Sequence, residues 1–289
     1  MSEGFGSLET LLDLEQIEEH IFRSSPPHVR GGTDRVYGGQ VAAQSLLAAG
    51  RTVAEGAVHS LHSYFLRPGD LSVPIVFEVD RIRNGRSFTT RRVVAIQHGE
   101  AIFNLQCSFH RAEPGLEHAD AMPEVPPPEE LPDAAAIALE GQRMPLSTRP
   151  DSGLQLRFVT ELPWERQAPG VRQQLWLRAA SRLGDDPLVH AVALTFASDL
   201  TLLDAAAQRH GRSVSDPDFA GASLDHCMWF HRPARADEWL LYDQRSPAAG
   251  GARGLNIGSI YRRDGVLAVT VVQEGLLRFG RRPKAEATA

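Results

Sequence analysis

The chain has 289 residues, 42% of them hydrophobic and 23% charged, which is enough apolar mass for a packed core and excludes global disorder. Its formal net charge of -6 argues against a nucleic-acid binder held by a basic face. Two cysteines, Cys107 and Cys227, make neither a CxxC pair nor a metal-ligand spacing, so buried free thiols in a reducing compartment are expected.

The N-terminal stretch MSEGFGSLETLLDLEQIEEH is acidic and carries no apolar h-region. No run approaches the ~18 apolar residues of a membrane span, so the expected location is the cytoplasm. Next, PHVRGGTDRVYGG leads into QVAAQSLLAAGRTVA, a run of small and apolar residues long enough for a buried helix. Extended segments follow in HSLHSYFLRP, PIVFEVDRIRNG, SFTTRRVVAIQHG and EAIFNLQCSFHR, separated by the turn signals Pro-Gly, Asn-Gly and His-Gly. Ile75, Phe77 and Val79 alternate with Val76, Glu78 and Asp80, the period of a half-buried strand.

From about Glu113 to Pro150 the chain is rich in proline and acid, with no sustained apolar period, and reads as a linker. The expected organisation is a first module over 1–112, the linker over 113–150 and a second module over 151–289.

The second half repeats the order of the first. QQLWLRAASRL precedes the long run DDPLVHAVALTFASDLTLLDAAAQRHG, where Asp-Asp-Pro suits a helix start. ASLDHCMWFHRP, EWLLYDQRSP, ARGLNIGSIYRRDG and VLAVTVVQEGLLR then read as strands. YFLRP at 64–68 answers WFHRP at 229–233, Gly99 answers Gly265, and Gln106 answers Gln273. AQSL at 43–46 answers ASDL at 197–200, which sets Ser45 opposite Asp199. The loop RHGRSVSDPDFAG has no counterpart in the first half. The expected fold is α+β: two helix-in-antiparallel-sheet modules forming one continuous curved sheet, because neither half covers its own helix alone.

RVYGGQVAAQSLLAA, HSLHSYFLRPGD, NGRSFTTRRVVAIQHGEAIF, SLDHCMWFHRP, EWLLYDQRSPAAGGARG and VVQEGLLR together resemble the type II acyl-CoA thioesterases, from about residue 8 to residue 278. The resemblance implies a double hotdog fold and hydrolysis of acyl-CoA to a free acid and CoA. It also implies assembly into a homo-oligomer. The site it implies is Asp199 in ASDL, Ser223 in ASLDH and Gln273 in VVQEG. Several members carry threonine where this chain has Ser223, and the serine keeps the hydroxyl.

The residue chemistry suits that site. Thioester hydrolysis needs a nucleophilic water and a stabilised oxyanion. An aspartate accepts the water's proton, while a hydroxyl and an amide fix the geometry. Backbone N–H groups in YGGQ (Gly38, Gly39 and Gln40) are candidate oxyanion donors, because glycines let a thioester approach the backbone. Ser223, Asp225 and His226 invite comparison with a serine-hydrolase triad. Neighbouring strand residues point to opposite faces, and the chain has no GxSxG, so that mechanism is rejected. His226, Trp229 and His231 are expected to pack or to line a pocket. No HExxH, phosphate-binding loop or dinucleotide fingerprint appears, so neither metal nor redox cofactor is expected. Aligned on ASDL, the first half has Ser45 in place of the acid, which predicts one hydrolytic site per chain. Two alternatives stay open: a non-catalytic acyl-CoA binding protein, and an enoyl-CoA hydratase on the same fold, against which stands the lack of a DxNPxH string.

Overall fold

The run GGQVAAQSLLAAG forms helix α1 (Gly38–Gly50), with residues Gly39 to Gly50 all buried. A helix buried all round must sit inside something, and here a sheet wraps it. The structure is a computed structural model that describes residue 8 and residues 12–31, 34–137, 152–166 and 168–280. Around α1 lie β1 (Glu15–Glu18), β2 (Ile21–Ser24), β3 (Ala57–Phe65), β4 (Ile75–Asn84), β5 (Phe88–Gln97) and β6 (Glu100–His110). The second half contributes β7 (Leu154–Phe158), β8 (Gln173–Ala179), helices α2 (Pro187–Ser198) and α3 (Asp204–Gln208), then β9 (Ala220–Ser223), β10 (Asp225–Phe230), β11 (Leu240–Gly250), β12 (Arg253–Arg262) and β13 (Leu267–Arg278). The sheet runs β1-β2-β4-β5-β6-β3-β10-β13-β12-β11-β8-β7, with β9 also on β13, and every pairing is antiparallel. It does not close into a barrel.

The halves join where β3 pairs with β10, His62 opposite Cys227. Tyr64 pairs with Asp225 and Ser60 with Trp229, so the two segments matched by YFLRP and WFHRP meet about a local two-fold axis. The helices pack antiparallel. A Cβ on Gly50, at the end of α1, would stand 2.5 Å from the Leu188 side chain at the start of α2, and one on Gly38 would stand 3.1 Å from Asp199 Oδ2. Glycine at both ends therefore sets how closely the helices approach. One hydrophobic core spans both halves, from Leu46, Phe77 and Phe103 to Leu175, Phe196 and Val271.

Three sequence readings need correction. The long run from 185 to 211 is not one helix. α2 ends at Ser198, with Asp199 as its C-cap, and α3 starts only at Asp204. Two tyrosine hydroxyls end it: Tyr37 donates to the Phe196 carbonyl at 2.8 Å and Tyr242 to the Ser198 carbonyl at 2.9 Å, satisfying carbonyls of the last turn. Second, Cys107 is buried but Cys227 is only partly so, because Cys227 lies on the outer face of β10. Third, the described part of the linker has little regular structure beyond a short 3-10 turn at Pro128–Glu130, yet it is packed. Met122, Val125 and Leu131 lie on Trp176, Trp239, Leu241 and Tyr261, and Trp176 Nε1 donates to the Pro126 carbonyl at 2.9 Å. Residues 138–150 of that stretch lie outside the described residues.

Candidate active site

The break between β9 and β10 falls at Leu224, whose N–H donates to the Glu274 carbonyl at 2.9 Å. The Asp225 carboxylate accepts the Glu274 N–H at 2.7 Å, so the bend is satisfied without a regular ladder. This bend turns Ser223 toward the end of α2. There Asp199 Oδ1 accepts two hydrogen bonds, from Ser223 Oγ at 2.9 Å and from Gln273 Nε2 at 2.6 Å. An aspartate at a helix C-cap, a serine at a strand end and a glutamine in mid-strand converge on one oxygen. The Gln273 amide is oriented by that contact, since its oxygen facing a carboxylate would be repelled. Gln273 is fully buried, and its Oε1 has no donor within the protein among the described residues. Asp199 Oδ2 is directed toward Gly38 at the N-terminus of α1, so the first module completes the site.

The candidate oxyanion donors divide. Neither Gly38 nor Gly39 uses its N–H in a backbone hydrogen bond among the described residues, as expected of the first helical positions. Gln40 does not join them. Its N–H donates to the Tyr37 carbonyl at 3.1 Å, and its side chain accepts the Val29 N–H at 2.7 Å.

Around the carboxylate lie groups that the sequence reading missed or assigned loosely. His226 is fully buried, with Nε2 2.8 Å from Ser198 Oγ and Nδ1 without a partner among the described residues. Burial holds its pKa below the ordinary imidazole range, against the pull of the Asp199 charge. Tyr37 and Tyr242 are pushed well above the usual phenol range, by burial first and by the Asp199 carboxylate second. Both hydroxyls therefore stay protonated as donors. Asn256 is fully buried on β12, opposite Gln273, and donates to the Gln273 carbonyl at 3.3 Å. A polar residue centred in an apolar strand was the signal for Asn256. Trp229 and His231 lie elsewhere: Trp229 meets His62 edge-on on the outer face, centroids 5.1 Å apart, and His231 bonds Thr270 at 2.9 Å.

The strand registers revise the internal alignment. Since His62 answers Cys227, and their neighbours are Gln106 on β6 and Val272 on β13, Gln106 answers Val272. Gln106 is accordingly exposed, and Cys107 holds the place of Gln273. Arg91 pairs with Cys107 as Asn256 pairs with Gln273. The helix end that Asp199 caps in α2 is capped by Arg51 in α1, whereas Ser45 sits mid-helix with Oγ bonded to the Val41 carbonyl at 2.8 Å. The first module's counterpart of the site is filled by Arg91. Its guanidinium donates to Thr52 Oγ1 (2.7 Å) and to the Thr52 (3.0 Å), Thr90 (3.0 Å) and Arg83 (3.1 Å) carbonyls. It also donates to Asn84 Oδ1 (2.7 Å).

The comparisons agree with this architecture. A family model for acyl-CoA thioesterase matches residues 156–276, and one for the acyl-CoA thioesterase N-terminal domain matches residues 25–110. Acyl-coenzyme A thioesterase 8 of Mus musculus is 43% identical over 285 residues, 93% of this chain and 88% of its own. The chain belongs to the type II acyl-CoA thioesterase family. Acyl-CoA thioesterase 2 of Haemophilus influenzae is 34% identical, covering 96% of this chain and 99% of its own. The solved structure of an acyl-CoA thioesterase II from Mycobacterium marinum superposes with a TM-score of 0.78 at 45% identity, over 95% of this chain and 99% of that one. A hotdog-fold protein from Alicyclobacillus acidocaldarius, only 20% identical, superposes with a TM-score of 0.76 over 94% of this chain and 98% of its own, and so shows the fold alone. This thioesterase thus hydrolyses acyl-CoA on a double hotdog.

Proposed function

We propose that Asp199 is the general base of that hydrolysis and that Ser223 and Gln273 set its geometry. The observation that carries this reading is the pair of hydrogen bonds on Asp199 Oδ1, 2.9 Å from Ser223 and 2.6 Å from Gln273, with Oδ2 left toward the start of α1. A water there gives one proton to Asp199 and points the other at Gln273 Oε1, the buried acceptor that lacks a protein donor. The water's oxygen adds to the thioester carbonyl. The resulting oxyanion meets the Gly38 and Gly39 N–H groups at the positive end of α1, and the intermediate collapses with loss of the CoA thiolate. Because Arg91, Cys107 and Arg51 occupy the corresponding places in the first module, we assign one hydrolytic site to each chain, in the module we take to span 151–289.

The acyl tail needs apolar space. A cavity of about 380 Å³ lies beside the helices, lined by Leu8, Leu12, Leu47, Val189, Val192 and Ala193 and also by the Asp13–Arg51 ion pair. We take it as the tail's far end. Val189, Val192, Phe196 and Asp199 follow helical spacing on one side of α2, and Val189 lies ~15 Å along the axis from Asp199, the reach of a medium-length tail. We further take the enzyme to act in the cytoplasm, in keeping with two unpaired thiols, and to self-associate through apolar surface at the sheet centre, where Tyr64 is 60% and Leu66 46% exposed. The test of the assigned reaction is thiol release across a panel of acyl-CoAs beside hydration of crotonyl-CoA. Thiol release without hydration is expected, and hydration without thiol release would overturn it.

A further inference from the structure

CoA is a polyanion, and this chain carries a net charge of -6 with a carboxylate at its reaction centre. Binding the substrate therefore needs a local cation. Nearly all the cations are arginine, since Lys284 is the single lysine and lies outside the described residues. Several arginines are committed to acids: Arg30 to Asp34, Arg212 to Asp216 and Asp218, and Arg253 to Glu274.

Arg35 differs from these. It makes no ion pair among the described residues and is only partly buried. It stands three residues before Gly38 and reaches across to the other half, where Nη2 donates to the Gly221 carbonyl at 2.8 Å. Gly221 lies two residues before Ser223 on β9, roughly 7 Å along the strand. Arg35 thus touches the lip of the site without touching Asp199, Ser223 or Gln273. A guanidinium has five N–H donors in a planar fork, and the Gly221 carbonyl is the partner of one. The N-terminus of α1 adds positive potential on the same side. A cation standing off from the reacting carbonyl, free of carboxylates and pinned by a neutral carbonyl, suits a remote anionic group of the substrate.

We propose that Arg35 holds a phosphate of the CoA moiety at the mouth of the site. This assignment rests on acyl-CoA being the substrate. It adds a role that the acid, hydroxyl and amide do not supply, namely capture of the leaving group's far end. That contact is made equally in ground and transition states, so it acts on KM and leaves kcat in place.

The test compares decanoyl-CoA with decanoyl-pantetheine, which has the same thioester and arm but no phosphate, in the full-length wild type, Arg35→Met and Arg35→Lys. Arg35→Met is expected to raise KM for decanoyl-CoA roughly ten- to hundredfold, the scale of a lost charge-assisted contact, with kcat kept. The pantetheine ester should be hydrolysed as by wild type, which also shows that the variant folds. Arg35→Lys should recover part of the loss, as a point charge without the fork. Equal losses on both thioesters would overturn the proposal and make Arg35 a prop for β9. No loss on either would overturn it too. Wild type that cleaves neither ester would remove the hydrolysis reading itself, and the phosphate role with it.

Discussion

Replacing Asp199 with asparagine separates chemistry from architecture. The asparagine keeps one oxygen where Oδ1 stands, so Ser223 and Gln273 keep an acceptor, now neutral. Neutral hydrogen bonds are about half as strong as charge-assisted ones, so the two bonds together lose roughly 1–2 kcal/mol, partly offset because a carboxylate no longer has to be held away from water. The expected change in melting temperature is only a few degrees. Activity should fall far more, because the amide accepts no proton from water: a loss of ~10²–10⁴ in kcat. Asp199→Leu is the contrasting variant. It also abolishes turnover, but it leaves the Gln273 amide, fully buried, without an acceptor, at a cost of about 1–3 kcal/mol. The assay is thiol release with decanoyl-CoA beside thermal unfolding. An Asp199→Asn protein within tenfold of wild-type turnover would refute the reasoning.

Ser223→Thr keeps the hydroxyl and should keep most of the activity. Ser223→Ala removes one donor from a carboxylate and should lower kcat/KM roughly ten- to hundredfold, and equal activity of the two variants would count against the bond. Val189→Trp should fill the cavity beside the helices and reduce kcat/KM for long acyl chains about tenfold relative to short ones. An unchanged chain-length profile would place the tail elsewhere. His226 predicts a pH effect on stability. Its folded pKa lies below the ordinary value of 6.5, so the unfolded chain takes up a proton first as pH falls. The stability is therefore complete above about 6.5 and declines toward the folded pKa, by at most about 1.4 kcal/mol per pH unit for one proton. His226→Met should flatten that acid slope in urea titrations by one proton, and an unchanged slope would mean that the buried ring binds its proton in the fold.

Strand alternation and turn pairs made β3 to β6 and β10 to β13 readable, because those strands bury one face and each face repeats every second residue. The strands β1, β2, β7 and β8 close the edges of the sheet and carried no such reading. Two of the site's features follow from contacts that are distant in sequence and so escaped the pattern. The end of α2 is set by hydroxyls of Tyr37 and Tyr242, which lie far from TFASDLTLL in sequence, although the Ser-Asp pair there also suits a helix cap. The place of Gln106 was misjudged because a glutamine-to-glutamine match between repeats looks persuasive, whereas one residue of slip carries a side chain to the other face of a strand. The register puts Gln106 in solvent and Cys107 in the core, so the repeat keeps the backbone and replaces the chemistry.

That replacement explains why a symmetric scaffold holds an asymmetric pair of sites. Each module brings a helix end against two strands, and each such corner is a buried polar space that must be satisfied. In the second module an acid, a hydroxyl and an amide bond one another, and among the described residues Gln273 Oε1 is left without a donor; by our proposal it and Asp199 Oδ2 face the reactant. In the first, the five donors of Arg91 satisfy Thr52, Asn84 and neighbouring carbonyls, with no acid in the set. A corner filled by its own side chain has no acceptor to offer; by our proposal, the corner left one donor short binds water. The first module then contributes what symmetry still gives it at the other corner, the glycine start of α1 beside Asp199 and, by our proposal, Arg35 at the mouth. By this proposal catalysis draws on both halves, although the carboxylate assigned as the base belongs to one.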